Sequence, residues 1–164
     1  MDAPSESDNK PTTKGGPLPG LLRPPLIFLA GIALGIVLNR IWPAHFVRSS
    51  LGFLGPSVAF SAVLLFLSSF REFRRAGTSV RGSQRSTTIV RTGPYRFSRN
   101  PIYLSFTMLV LGLSIWLNDF WLLVTLVPAV GVIAAVVIPR EERFLDRTLG
   151  DQYSTYKATV RRWL

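Results

Sequence analysis

The chain has 164 residues, 48% of them hydrophobic, and carries a net charge of +10. Its mean hydropathy of +0.30 is high for a soluble domain of this size, so the composition predicts an integral membrane protein. The absence of cysteine and the presence of one histidine exclude disulfides, thiol catalysis, iron–sulfur clusters and a Cys/His zinc site.

The first residues differ in composition from the rest of the chain. Residues 1–20 are rich in Pro, Gly, Ser, Thr and charged side chains and have no apolar periodicity, which predicts a disordered tail. Residues 21–164 contain all of the long apolar segments. We therefore expect one membrane domain over residues 21–164.

Four apolar segments follow the tail, and each is long enough, or nearly long enough, to cross a bilayer as a helix. The predicted spans are residues 25–42, 51–70, 102–117 and 120–138. In the first span, Gly31 and Gly35 form a G-x-x-x-G pair, which would let another helix approach closely. Only Asn118 and Asp119 separate the last two spans, so these form a tight antiparallel hairpin.

Charge predicts the orientation of these spans. The loop over residues 71–101 holds eight arginines and one acid, Glu72, a net charge of +7. The positive-inside rule makes this loop cytoplasmic, and four crossings place both termini on the same side. The spans carry almost no ionisable residues, which disfavours an ion-coupled transporter. The arginines lack interleaved stacking aromatics on a recognisable module, so no nucleic-acid partner is expected.

The C-terminal segment, residues 139–164, has an apolar stripe spaced by three and four. Its members are Leu145, Leu149, Tyr153, Tyr156, Val160 and Trp163. This spacing predicts a cytoplasmic amphipathic helix and completes an all-α fold of about four transmembrane helices plus that helix. The helix either lies in the membrane interface as an anchor or folds back over the arginine-rich loop and closes a pocket.

The stretch G-P-Y-R-F-S-R-N-P-I-Y runs from Gly93 to Tyr103 and leads into the third span. Two prolines in it fix φ and remove backbone donors, so a loop is expected here. Arg96 and Arg99 then lie at headgroup depth, as anion ligands or as ordinary topological anchors. The acid pair Glu141-Glu142 follows the last span, and at most one of two adjacent helical carboxylates points straight into a site.

The order of these motifs carries a family resemblance. G-P-Y-R-x-x-R-N-P-x-Y, an apolar hairpin, E-E-x-x-L and a final Y-x-x-Y-x-x-x-V-x-R-W resemble the isoprenylcysteine carboxyl methyltransferase family and its phospholipid N-methyltransferase relatives. The resemblance covers residues 71–163, and residues 76–80 and 90–92 resemble the bacterial branch. It implies an all-helical enzyme of the bacterial inner membrane that uses S-adenosylmethionine on the cytoplasmic side.

The resemblance also implies roles for individual residues. The cofactor-binding set is Gly93, Pro94, Tyr95, Arg99, Asn100, Pro101, Tyr103, Glu141 and Glu142. The catalytic set is Arg99, Glu142 and Arg162, and no metal is required. Many family members have histidine at the position of Asn100. Because asparagine does not titrate, a general base is not expected at that position here.

The expected partners are membrane lipids and a lipophilic acceptor, either a small molecule or a prenylated substrate. The carboxylate of an isoprenylcysteine-like substrate is favoured, and a phospholipid amine is the alternative. A hypothesis from a different class is a non-catalytic scaffold whose cytoplasmic arginines bind anionic lipid. The sequence predicts no particular oligomeric state.

Overall fold

A computed structural model describes residues 24–45, 53–76 and 89–164 of the chain. Within these ranges the regular structure is helical, without strands, and the predicted all-α membrane fold is confirmed. The helices are α1 (Pro24–Ile41), α2 (Leu54–Arg75), α3 (Pro101–Leu117), α4 (Phe120–Val132), α5 (Ile138–Leu149) and α6 (Asp151–Thr159). A 3₁₀ turn at Gly93–Arg96 precedes α3, and a π-helical turn at Ile133–Val137 joins α4 to α5.

All four predicted spans are helices, with shifted ends. α1, α2 and the continuous helix Phe120–Leu149 are long and apolar enough to cross a membrane. α3 is shorter, with 17 residues, or about 26 Å at the α-helical rise. α2 continues past the predicted end at Phe70 to Arg75. The predicted tail over residues 1–20 lies outside the described residues.

Glycines allow the backbones of neighbouring helices to approach each other closely. α2 lies along α3, and a Cβ on Gly112 would come within 2.6 Å of the backbone nitrogen of Ala59. α1 lies along α4, and a Cβ on Gly35 would come within 2.9 Å of the Leu122 side chain. Gly31 faces the same helix at 3.6 Å. The close approach predicted from the G-x-x-x-G pair is therefore confirmed.

The hairpin between α3 and α4 closes over two residues, as predicted. Asn118 ends α3 in the left-handed conformation with φ of 51°. The Asp119 carboxylate then accepts hydrogen bonds from the backbone N–H groups of Trp121 at 2.9 Å and Leu122 at 3.1 Å. These two bonds satisfy donors that a helix start otherwise leaves unpaired, so Asp119 fixes where α4 begins.

The C-terminal segment is not the single amphipathic helix that the stripe predicted, and that prediction was wrong. Gly150, with φ of +51°, separates α5 from α6, and the backbone is extended at Val160. We call the last five residues, 160–164, the C-terminal strap. Because an extended backbone has free carbonyls, the strap can pair with a loop as a helix could not. Trp163 packs against the buried core, whose members are Phe28, Val110, Leu126, Ile133, Val137 and Ile138.

Candidate functional site

A buried carboxylate between two arginines forms the centre of the candidate site. Glu142 of α5 accepts a two-pronged hydrogen bond from Arg162, with Nη2–Oε2 at 2.7 Å and Nε–Oε1 at 3.2 Å. On the other side, Nη1 of Arg99 lies 3.2 Å from Oε1 of Glu142. Two guanidinium groups therefore share one carboxylate, which brings the three predicted catalytic residues together.

The Arg99 guanidinium is buried and incompletely bonded. Its side chain is 10% exposed, and among the described residues its Nε and Nη1 have no hydrogen-bond partner. The approach of Nη1 to Glu142 is an ion pair by distance but lacks hydrogen-bond geometry. Buried donors without acceptors cost free energy, and each such group calls for an explanation. Two donors of Arg99 are thus available to an acceptor that residues 24–45, 53–76 and 89–164 do not supply.

The C-terminal strap holds the loop that carries Arg99. The backbone N–H of Arg99 donates to the carbonyl of Arg161 at 3.0 Å. The carbonyl of Arg162 accepts from the Asn100 side-chain amide at 3.0 Å and from the Ser98 hydroxyl at 3.4 Å. The segment therefore folds back over the loop, which is the second of the two arrangements considered from the sequence. Asn100 acts here as an amide donor, a role that needs no titration.

The neighbouring acid has a different environment. Oε1 of Glu141 accepts a hydrogen bond from the Tyr103 hydroxyl of α3 at 2.6 Å. None of the ion pairs between described residues involves Glu141, whereas Glu142 takes part in two. The two adjacent carboxylates point at different partners, as expected for successive helical residues. A π-helical turn ends at Val137 shortly before them, and the residue inserted there rotates both side chains together by about 100°.

The 3₁₀ turn Gly93–Arg96 lies against α6. Gly93 has φ of +58°, and the turn continues through Pro94 to Tyr95, which is buried. The Tyr156 hydroxyl donates to the Tyr95 carbonyl at 2.7 Å. Burial, and secondarily the nearby Tyr153, raises the pKa of Tyr156 to about 12, so it keeps the proton it donates. Burial likewise raises the pKa of Tyr95 and Tyr153, and all three rings are neutral at physiological pH.

The predicted site residues lie on the 3₁₀ turn, the loop at Arg99, the start of α3, α5 and the C-terminal strap. Pro101 is fully buried at the start of α3. Sequence reasoning had not assigned Ser98, Tyr156 or the Thr92–Glu72 contact to the site. Tyr156 belongs to the Y-x-x-Y motif and could have been found from it. Thr92 and Glu72 are 20 residues apart, and no sequence motif links them. Among the described residues, no three His, Asp or Glu side chains converge as a metal site would require.

Two comparisons with known proteins found matches to this chain. A family model described as phospholipid methyltransferase matches residues 51–152, well over half of the chain. An uncharacterized protein of Haemophilus influenzae (strain ATCC 51907 / DSM 11121 / KW20 / Rd) is 36% identical over 63 residues, which are 38% of this chain and 100% of that protein. No solved structure matches. The family match, the apolar helices and the motifs held together around Glu142 support a membrane methyltransferase, and the chain belongs to the phospholipid methyltransferase family.

Proposed function

We propose that this protein transfers a methyl group from S-adenosylmethionine to a lipophilic acceptor in the membrane. Membership of the phospholipid methyltransferase family supports the reaction class. The observation that carries the proposal is the Arg99 guanidinium, which is buried and has two nitrogens without hydrogen-bond partners among the described residues. A scaffold that only anchors to lipid has no need for buried arginine donors without hydrogen-bond acceptors.

The residues around Arg99 fit the amino-acid end of that cofactor. Arg99 would hold its carboxylate through charge-assisted hydrogen bonds. Glu141, which forms no ion pair with the described residues, would hold its ammonium group. Glu142 would then act by fixing Arg99, and the Gly93–Arg96 turn and the start of α3 would border the cofactor. We infer that this site and both termini are cytoplasmic, in a bacterial inner membrane.

Methyl transfer requires the protein mainly to align the methyl donor with the acceptor. The cofactor supplies an electrophilic methyl group on a sulfonium sulfur. Arg99, Glu141 and Tyr103 would orient the cofactor in the site. The C-terminal strap with Trp163 would exclude water from the site. Neither a covalent nucleophile nor a metal is required.

The acceptor enters from the bilayer in this proposal. A cavity of about 200 Å³ lies between α2 and α3, lined by Ala62, Val63, Phe66, Ser105, Phe106 and Leu109. This apolar space suits the hydrocarbon part of an acceptor, since it lies along the first half of α3, the helix that begins directly after the loop of Arg99.

Two acceptor groups fit the polar part of the site. A carboxylate, as on an isoprenylcysteine-like substrate, would be oriented by Arg162, whose side chain is 41% exposed despite its bond to Glu142. A phospholipid amine, the second candidate, is favoured by the description of the matching family model. An amine must lose a proton on methylation, and the Glu141 carboxylate, which accepts a hydrogen bond from Tyr103, would receive it.

Calorimetric titration of the detergent-purified protein with S-adenosylhomocysteine, the demethylated product, tests the proposal without knowledge of the acceptor. We expect micromolar binding, about −8 kcal/mol. Glu142→Gln should weaken it at least about tenfold in folded protein, because Arg99 and Arg162 lose their shared anion. Asp146→Asn is the matched control, since it removes an acid of the same helix that pairs with Lys157.

Two outcomes would contradict this assignment. Folded wild-type protein that does not bind S-adenosylhomocysteine would favour the lipid-binding scaffold. Unchanged affinity in Glu142→Gln would remove the acid pair from the cofactor site.

A further inference from the structure

Glu72 is the one acid in the arginine-rich loop over residues 71–101, and it makes a specific contact. It lies in the last turn of α2, with 20% of its side chain exposed. Its Oε2 accepts a hydrogen bond of 2.5 Å from the Thr92 hydroxyl, and its Oε1 accepts from Nη1 of Arg75 at 3.1 Å. Each carboxylate oxygen thus has its own partner, one on α2 and one in the loop.

The contact lies directly beside the 3₁₀ turn of the candidate site. Thr92 is the residue before Gly93, and a Cβ on Gly93 would come within 2.9 Å of Cγ of Glu72. Because Gly93 has no Cβ, the turn can pack directly against the Glu72 side chain. Its φ of +58° is also one that glycine adopts readily. α2 and the turn touch at the point where the turn begins.

The same turn is also held by α6. Tyr156 donates to the Tyr95 carbonyl at 2.7 Å, and Nη2 of Arg91 donates to the Gln152 carbonyl at 2.8 Å. These bonds fix the turn relative to the C-terminal segment. They do not fix it relative to α2, the helix that packs along α3.

We propose that Glu72 is a positioning residue that fixes the Gly93–Arg96 turn to the membrane helices through the Thr92 hydroxyl. This inference rests on the proposed function, in which the turn borders the cofactor. A carboxylate is suited to the role because a charge-assisted hydrogen bond is shorter and stronger than a neutral one. The competing explanation is that Glu72 is an ordinary counter-ion for neighbouring arginines such as Arg75.

The two explanations predict that different partners of Glu72 affect the affinity for S-adenosylhomocysteine. The test therefore removes one partner at a time. S-adenosylhomocysteine affinity is measured by calorimetry on the full-length protein in detergent. Thr92→Val keeps the side-chain shape but removes the hydroxyl, and we expect about tenfold weaker binding. Thr92→Ser restores the hydroxyl and should bind within about twofold of wild type. Arg75→Gln removes only the other partner and should bind like wild type.

A double variant keeps the inference falsifiable. Glu72→Ala should weaken binding as much as Thr92→Val, and the double variant should weaken it no further, because one contact is deleted in each case. Full affinity in Thr92→Val overturns the inference, as does an equal loss in Arg75→Gln. A lower unfolding temperature with unchanged affinity would make the contact structural only, which also overturns it. If wild-type protein does not bind, the proposed function fails first and this inference falls with it.

Discussion

At the scale of single residues, adjacent acids of one motif have separate environments. Glu142 is held between Arg99 and Arg162, whereas Glu141 meets the Tyr103 hydroxyl. Both oxygens of the Glu142 carboxylate face guanidinium groups, so its effect on the site comes through the two arginines that it holds. Arg99 is the more informative of its two partners, because its side chain is 10% exposed against 41% for Arg162.

Replacement of Arg99 by lysine tests whether the guanidinium itself is needed. Lysine keeps the charge beside Glu142 but offers a point charge in place of the planar fork. We expect Arg99→Lys to bind S-adenosylhomocysteine about tenfold more weakly than wild type in calorimetry. Arg71→Lys is the matched control, since Arg71 is an exposed arginine near the end of α2 and is not assigned to the site. Equal affinities in all three proteins would leave Arg99 as a topological anchor.

At the scale of elements, the position of the site depends on how closely the helices pack. Gly112 of α3 lies against the backbone of Ala59 of α2, and Gly35 of α1 lies against α4. Small residues at such contacts let backbones approach and strengthen van der Waals packing where the hydrophobic effect cannot act. α3 begins at Pro101, directly after Arg99 and Asn100, so its packing sets where the loop enters the site.

Substitution of one glycine by alanine tests this packing. In Gly112→Ala the new Cβ would lie 2.6 Å from a backbone atom that cannot rotate away, and we expect a loss of about 1–3 kcal/mol of stability. Gly131→Ala is the control, because nothing lies within 4 Å of that position. It should be neutral or gain up to about 1 kcal/mol from helix propensity. Thermal unfolding in detergent measures both, and equal unfolding temperatures would contradict close packing of α2 on α3.

At the scale of the whole molecule, charge and apolar surface divide the protein between two environments. Large apolar side chains on the outer faces of α1 and α2 are exposed, among them Leu29, Phe60 and Leu64. A bilayer would cover these faces, whereas the described arginines of residues 71–76 and 89–101 lie with the candidate site at one end of the bundle. The orientation predicted from the loop charge places that end in the cytoplasm.

Cysteine labelling tests the orientation directly, because the chain has no cysteine of its own. Ala158 is exposed on α6, and Phe53, which is 88% exposed, lies just before α2 at the opposite end. We expect a membrane-impermeant maleimide to label Phe53→Cys in right-side-out membrane vesicles and Ala158→Cys only in inverted vesicles. Labelling of both positions in the same type of vesicle would contradict the four-span topology.

The sequence by itself determined the elements that depend on local chemistry. Apolar length predicted the four membrane helices, and Asn118 with Asp119 predicted a hairpin that the αL residue and the helix cap confirm. The motif order predicted the family that the match over residues 51–152 supports. These features need only neighbouring residues, because a run of apolar side chains in lipid must satisfy its own backbone as a helix.

Tertiary structure alone decided how the motifs meet. Val160 and Trp163 fit a helical stripe, yet they lie in the extended strap, because the carbonyls of Arg161 and Arg162 pair with the loop at Arg99 and Asn100. Likewise, only the fold brings Thr92 to Glu72 and gives Glu141 and Glu142 different partners. Periodicity reports which face of a segment is apolar, but backbone pairing and buried charge pairs join residues far apart in the chain, and their energies depend on the completed packing.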